Sequence, residues 1–174
     1  ARIPMIMRFP PGVPAPRETV SDAPVQLMDV MPTLLDAVDV DVPDTVQGSS
    51  VLPHLRGEDG WREYVHGECA QVPSTGSGMQ YLTDGRRKYI WYPGAGREQL
   101  FDLQHDPREM HDLADDPDWA QELGLWRGRL VERLAGRPEG FTDGTTLRKL
   151  DGDTPFCSAA YERSRQDAAH AWQG

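Results

Sequence analysis

Two aromatic-rich arms, MQYLT and RRKYIWY, flank Asp84-Gly85, and a third arm, EQLFDLQ, follows a few residues later. This run constrains the fold more than any other. Asp-Gly between apolar arms is a hairpin signal, because glycine takes positive φ at a reversal without steric cost. The third arm alternates as a strand does, placing Leu100, Asp102 and Gln104 on one face and Phe101 and Leu103 on the other. With REYVHGEC ahead of them, these segments predict a small antiparallel sheet of about four strands, a common size. A sheet with an apolar face needs a cover. Trp119, Leu123, Trp126, Leu130 and Leu134 recur at intervals of four, three, four and four residues, which predicts a helix over about 117–135 with that stripe as core. Asp116 is placed as its N-cap and Pro117 as its first residue, and Gly136 and Pro138 end it. The fold class is therefore α+β.

The first 60 residues read differently. RIPMIMRFP predicts a short buried strand, Ile3 to Phe9, stopped by Pro10, Pro11 and Gly12. It is apolar on both faces, as inside a large sheet, yet no βαβ repeat supplies its neighbours. Its partners are expected before residue 1, in keeping with a chain that does not open with Met. Downstream, a helix is predicted with Asp29 as N-cap and Pro32 in its first turn, carrying Val30, Met31, Leu34, Leu35 and Val38 on one face. GSSVLPHLRG adds a brief helical turn. The plan is thus a remnant of a larger α/β domain over 1–60, a small α+β domain over 61–137 and a polar arm over 138–174, in which Phe141, Phe156, Tyr161 and Trp172 are isolated aromatics.

Composition removes several classes of function. A formal net charge of −10 argues against nucleic-acid binding by phosphate neutralisation. No apolar run is long enough for a transmembrane helix, and ARIPMIMRFPPG lacks the pattern of a signal peptide. Cys69 and Cys157 make no disulfide framework and have no metal-ligand spacing; Cys69 is expected to be a small buried hydrophobe. The acidic balance and sparse cysteines fit a bacterial cytoplasmic protein. The acidic stretch LFDLQHDPREMHDLADDP holds Asp102, His105, Asp106, His111 and Asp112, in neither EF-hand nor H-E-x-x-H spacing. Its structural reading is a strand, a turn from Asp106-Pro107 into a short helical segment with Glu109 near its start, and the cap of the long helix. No metal ligands are assigned.

The same stretch resembles the C-terminal signature of the sulfatase family, E-L-Y-D-L followed by x-x-D-P-x-E-x-x-N-L-A. Phe101 stands for the usual Tyr and His111 for the usual Asn. RIPMIMRFPPG, VSDAPVQLMDVMPTLLDAVDVDVPDTVQGSSVLPHLRG, and HGE with LTDGRRKYIWYP resemble further family segments in the same order, so the resemblance covers about residues 2 to 136. It implies the alkaline-phosphatase-like architecture, a large α/β domain followed by a small sheet with a helix packed on it. It also implies sulfate-ester hydrolysis with a formylglycine and a calcium-type cation. No C-x-P-S-R or S-x-P-S-R occurs in this sequence, and CSAAY at Cys157 is not a substitute.

The expectation is therefore a C-terminal portion of a sulfatase-family hydrolase, inactive alone, with no catalytic residue or cofactor of its own. Its partner would be its own N-terminal catalytic domain, and homo-oligomers could form through exposed apolar surface and the arm. His66, Glu68, Arg86 and Arg87 are the candidate substrate-rim residues, since an Arg at a cleft mouth attracts and clamps sulfated anions. The alternative is a stand-alone sulfatase-derived interaction or oligomerisation module without catalysis. Phosphonate or phosphate esters are the neighbouring substrate classes.

Overall fold

The computed structural model describes residues 4–69 and 78–150, which belong to two compact units, Ala1–Val65 and His66–Gly174. Each is built on a different principle.

The first unit is held by polar groups. A 3-10 turn, Leu27–Asp29, runs into α1, Val30–Asp36, and a short α2 follows at Leu52–Leu55. Asp29 was expected to cap α1, but its carboxylate turns away from that helix end. It accepts from the backbone N–H groups of Gln26 (2.7 Å) and Ser49 (3.0 Å) and receives both arms of Arg62 at 2.7 Å. Thr33 Oγ1 donates to the Asp29 carbonyl at 2.6 Å and accepts from Val51 N–H at 3.0 Å. Ser50 closes the ring with a hydroxyl bond to Asp36 and accepts from Leu52 N–H at 3.2 Å. Gly48 is what lets the two segments meet, since a Cβ there would lie 1.9 Å from the Met28 carbonyl oxygen. Residues 4–9 are not a strand, contrary to expectation, and Ile6 is 91% exposed. A strand exists only against a partner for its backbone groups, and no described segment supplies one. Ile3 lies outside the described residues.

The second unit follows the alternation of its sequence. Strands β1 (Val65–Cys69), β2 (Met79–Thr83), β3 (Arg87–Tyr92) and β4 (Arg97–Asp102) form one sheet in sequence order. β2–β3 and β3–β4 are antiparallel, with Tyr81 opposite Ile90 and Tyr89 opposite Leu100. The Asp84-Gly85 reversal is a loop between Thr83 and Lys88 in which the Asp84 carboxylate accepts from the N–H groups of Arg86 and Arg87, with Gly85 at φ 88°. Register puts Leu82, Tyr89, Trp91 and Leu100 on one face, all buried. Helix α3, Ala120–Leu134, packs there with Leu123, Trp126, Leu130 and Leu134 inward. Its start matches expectation in that the Asp116 side chain accepts from Asp118 N–H, but the first turn, Pro117–Trp119, is 3-10. Gly136 at φ 73° follows its end. Burial pattern in β4 differs from simple alternation, because Phe101 and Leu103 cluster with Ile90 on the second face and are buried as well as Leu100 on the first. Gly67 belongs to that second face: a Cβ would meet the Tyr81 ring at 2.2 Å, so the ring occupies the space a side chain would fill.

Three smaller expectations change. Cys69 is exposed, because it ends the edge strand β1. The turn at Asp106 does not continue into a helix. Its carboxylate accepts from Met110 and His111 N–H, and Glu109 takes a left-handed φ of 58° from which it reaches Lys88 Nζ at 2.6 Å. The arm begins by packing on its own sheet, with Phe141 edge-on to Trp91 at 5.9 Å and Leu150 N–H on the Pro93 carbonyl. Phe156, Cys157, Tyr161 and Trp172 lie outside the described residues.

Candidate functional site

Two polar groups sit on the helix-covered face, one at each end of α3. Near its C-terminal end, Gln80 is buried on β2 and bridges the two candidates on β1. Its Oε1 accepts from His66 Nε2 at 2.8 Å, and its Nε2 donates to Glu68 Oε2 at 3.2 Å. Arg137, just past Gly136, donates to Glu68 at 2.8 Å and to both oxygens of Glu139. The guanidinium is thus shared by two carboxylates and lies over the Phe141 ring at 5.3 Å. Burial pushes the His66 imidazole below its ordinary pKa, and the charges of Arg133 and Arg137 add to that, against the Gln80 hydrogen bond and the Glu68 charge.

At the N-terminal end, Arg87 donates to Asp102 at 2.6 Å and lies over the Trp119 ring at 5.0 Å, with Glu122 at 3.9 Å. Its Nε is buried with no hydrogen-bond partner among the described residues. Asp102 also meets His105 Nδ1 at 2.8 Å. Burial raises the Asp102 carboxyl, but hydrogen bonds from His105 and Gln104 N–H and the charge of Arg87 together hold it below the ordinary range. Arg86, in the hairpin loop, is exposed with no ion-pair partner among the described residues.

The four sequence candidates therefore divide. His66 and Glu68 share one network, Arg87 belongs to another, and Arg86 faces solvent. Gln80 pairs with Trp91, four residues along β3 from Arg87, so the two networks are offset by about 13 Å along the strand at about 3.3 Å per residue. Gln80, Arg137 and Glu139 escaped the sequence reading. Gln80 carried a signal, being polar at the same strand phase as Leu82. Arg137 and Glu139 carried none, since the first comes 69 residues after its partner Glu68.

Protonation of His66 gives a checkable consequence. Because its folded pKa is lowered from 6.5, the unfolded chain takes up a proton first as pH falls, so stability is full above about 6.5 and declines below it. The slope this single group adds is at most about 1.4 kcal/mol per pH unit. Urea unfolding between pH 5 and 7.5 should show a shallower pH dependence in His66→Gln than in the unsubstituted chain. Parallel curves would contradict this burial.

Residues 1–134 match the family model described as N-sulphoglucosamine sulphohydrolase, C-terminal. The chain belongs to the sulfatase family. It is 34% identical to an arylsulfatase of Clostridium perfringens over 152 residues, 86% of this chain but 31% of that protein. The structure of BT4656 with its substrate D-glucosamine-2-N,6-O-disulfate superposes with a TM-score of 0.55 at 25% identity, over 61% of this chain and 23% of the other. The phosphonate monoester hydrolase SpPMH of Silicibacter pomeroyi superposes with a TM-score of 0.54 at 28% identity, over 74% and 30%. This sulfatase region thus spans less than a third of each of these three relatives. The family implies a calcium-type ion and a formylglycine. Among the described residues no three His, Cys, Asp or Glu side chains converge to hold a metal ion, so the described residues do not fit that ion.

Proposed function

We propose that this region completes a sulfatase-family hydrolase that cleaves sulfate esters once joined to its catalytic domain, and that it has no activity alone. The family match across residues 1–134 carries the reading. In it, residues 1–60 finish the edge of the large domain, 61–137 form the small domain and 138–174 the arm, while nucleophile and metal ligands come from upstream. The rim contribution of the four candidates is unequal. Arg86 is the cation with an unused fork, suited to attract and hold a sulfated anion. His66 and Glu68 shape the same domain through Gln80 instead of offering free charge.

The test is hydrolysis of an aryl sulfate and an aryl phosphonate by the full gene product and by the 174-residue chain. Turnover of the sulfate by the full product only, with KM raised several-fold in Arg86→Ala and kcat little changed, is the expected result. Turnover of the phosphonate alone would move the protein to the class of its Silicibacter relative. No turnover of either would leave the stand-alone binding module.

A further inference from the structure

The family match ends at residue 134, and the described chain continues to residue 150. Residues 137–150 fold largely on themselves. Thr142 bridges Leu147, Arg148 N–H donates to the Phe141 carbonyl at 2.8 Å, and the Asp143 carboxylate accepts from the N–H groups of Thr145 and Thr146 at 2.9 and 2.8 Å. Ties to the sheet are spread along the segment. At its front Arg137 donates to Glu68 on β1 at 2.8 Å, and in its middle Phe141 stands edge-on to Trp91 on β3. At its back Leu150 N–H donates to the Pro93 carbonyl at 3.0 Å, and the Lys149 side chain lies on Gly96. The segment thus runs from the first strand of the sheet to the turn between the last two. Gly136 and Gly140 flank the Arg137 ion pairs, both at φ 73° and both with open space where a side chain would stand, so the backbone can swing at either.

We propose that residues 137–150 are a strap that opens as one piece while β2, β3, β4 and α3 stay folded, and that its opening frees β1, the strand carrying His66 and Glu68. A segment whose hydrogen bonds are mostly internal gives up few of them on leaving, which is what a locally opening unit needs. The rest of the sheet has its own reasons to stay. β2, β3 and β4 are paired along their length, and Leu123, Trp126, Leu130 and Leu134 are buried against them. β1 lies at the edge of the sheet beside β2, and Glu68 draws its guanidinium partner from the strap. Once Arg137 has left, Glu68 keeps the Gln80 amide at 3.2 Å, a weaker bond than one from a charged donor. A tie made at the β3–β4 turn, two strands away, therefore controls how firmly β1 is held.

A disulfide across the back of the strap tests this, because a Cβ at Gly96 lies 3.5 Å from the Lys149 Cβ, within bridging range. Gly96→Cys with Lys149→Cys is made in the full gene product carrying Cys69→Ser and Cys157→Ser. The oxidised and reduced forms are compared, so that strain at φ 66° is common to both. In peptide-resolved hydrogen exchange, oxidation should slow the amides of 137–150 and of β1 by the same several-fold factor and leave those of β3 and α3 unchanged. Phe141→Ala, whose lost ring meets Trp91 and the Arg137 guanidinium, should speed the same two segments together. Slowing of 137–150 without β1 would overturn the coupling. Equal slowing of every segment would mean that the unit opens only as a whole, and no change in 137–150 that the strap does not open; either result overturns the proposal. Hydrogen exchange reads no turnover, so this result and the enzymatic reading stand or fall separately.

Discussion

Arg62→Leu should destabilise the first unit by about 3–5 kcal/mol, the range for removing one partner of a buried ion pair. Asp29 has no exposed surface, and all of its compensation comes from four donors, two of them the Arg62 guanidinium arms at 2.7 Å. Leucine leaves the Gln26 and Ser49 N–H groups against a buried negative charge, which they cannot balance alone. It also removes the guanidinium that lies over the Trp61 ring at 4.6 Å. Arg62→Lys should recover less than half, because an ammonium cannot engage both carboxylate oxygens in one plane. The acid response gives the second readout. Burial raises the Asp29 carboxyl, but the Arg62 hydrogen bonds and the two backbone donors outweigh it, so its pKa lies below 3.8. A lowered carboxyl adds stability above its unfolded pKa and loses it as pH falls through the folded value. Urea unfolding at pH 7 and near pH 3 should therefore differ more in the unsubstituted chain than in Arg62→Leu. A loss under about 1 kcal/mol at pH 7 would show that the pair is solvated.

The sequence made Asp29 look like a helix cap because local spacing was all it offered. Beside the local Gln26 N–H, its partners come 20 and 33 residues later, and nothing in a local pattern joins Asp29 to Ser49 or Arg62. The same holds for Glu68 and Arg137. By contrast the sheet and α3 were legible, since Tyr81, Tyr89 and Leu100 obey a period of two and Leu123 to Leu134 a helical one. Residues 4–9 misled for a related reason. An apolar run has the composition of a strand, but pairing is a property of two segments, and only one is described. The structure divides the four rim candidates between two networks and the solvent. Adjacency in sequence brought Arg86 and Arg87 together, yet Arg87 opens β3 and goes to Asp102 while Arg86 stays in the loop, in solvent.

Trp126→Ala is expected to be the costliest single truncation in the second unit, at about 3–5 kcal/mol. Its side chain is 1% exposed in the middle of the α3 stripe, between Leu123 and Leu130, with its indole N–H on Glu122 at 3.0 Å. Alanine there leaves a cavity under two of the largest buried side chains of the sheet face, Tyr89 and Trp91, whose strand packs against the helix. Trp119→Ala provides the contrast, although the sequence puts both tryptophans in one stripe. Trp119 sits in the 3-10 turn ahead of α3, is half-buried, and carries the Arg87 guanidinium on its face. A partly exposed cation–ring contact is worth about 0.5–1 kcal/mol, so its truncation should cost well under half as much. The tighter winding of a 3-10 turn moves Trp119 off the line of the α-helical repeat, and that displacement is the physical origin of the difference. Denaturant unfolding of the two variants decides the matter: equal losses would mean that the stripe is continuous through Trp119 and that the first turn packs as α-helix.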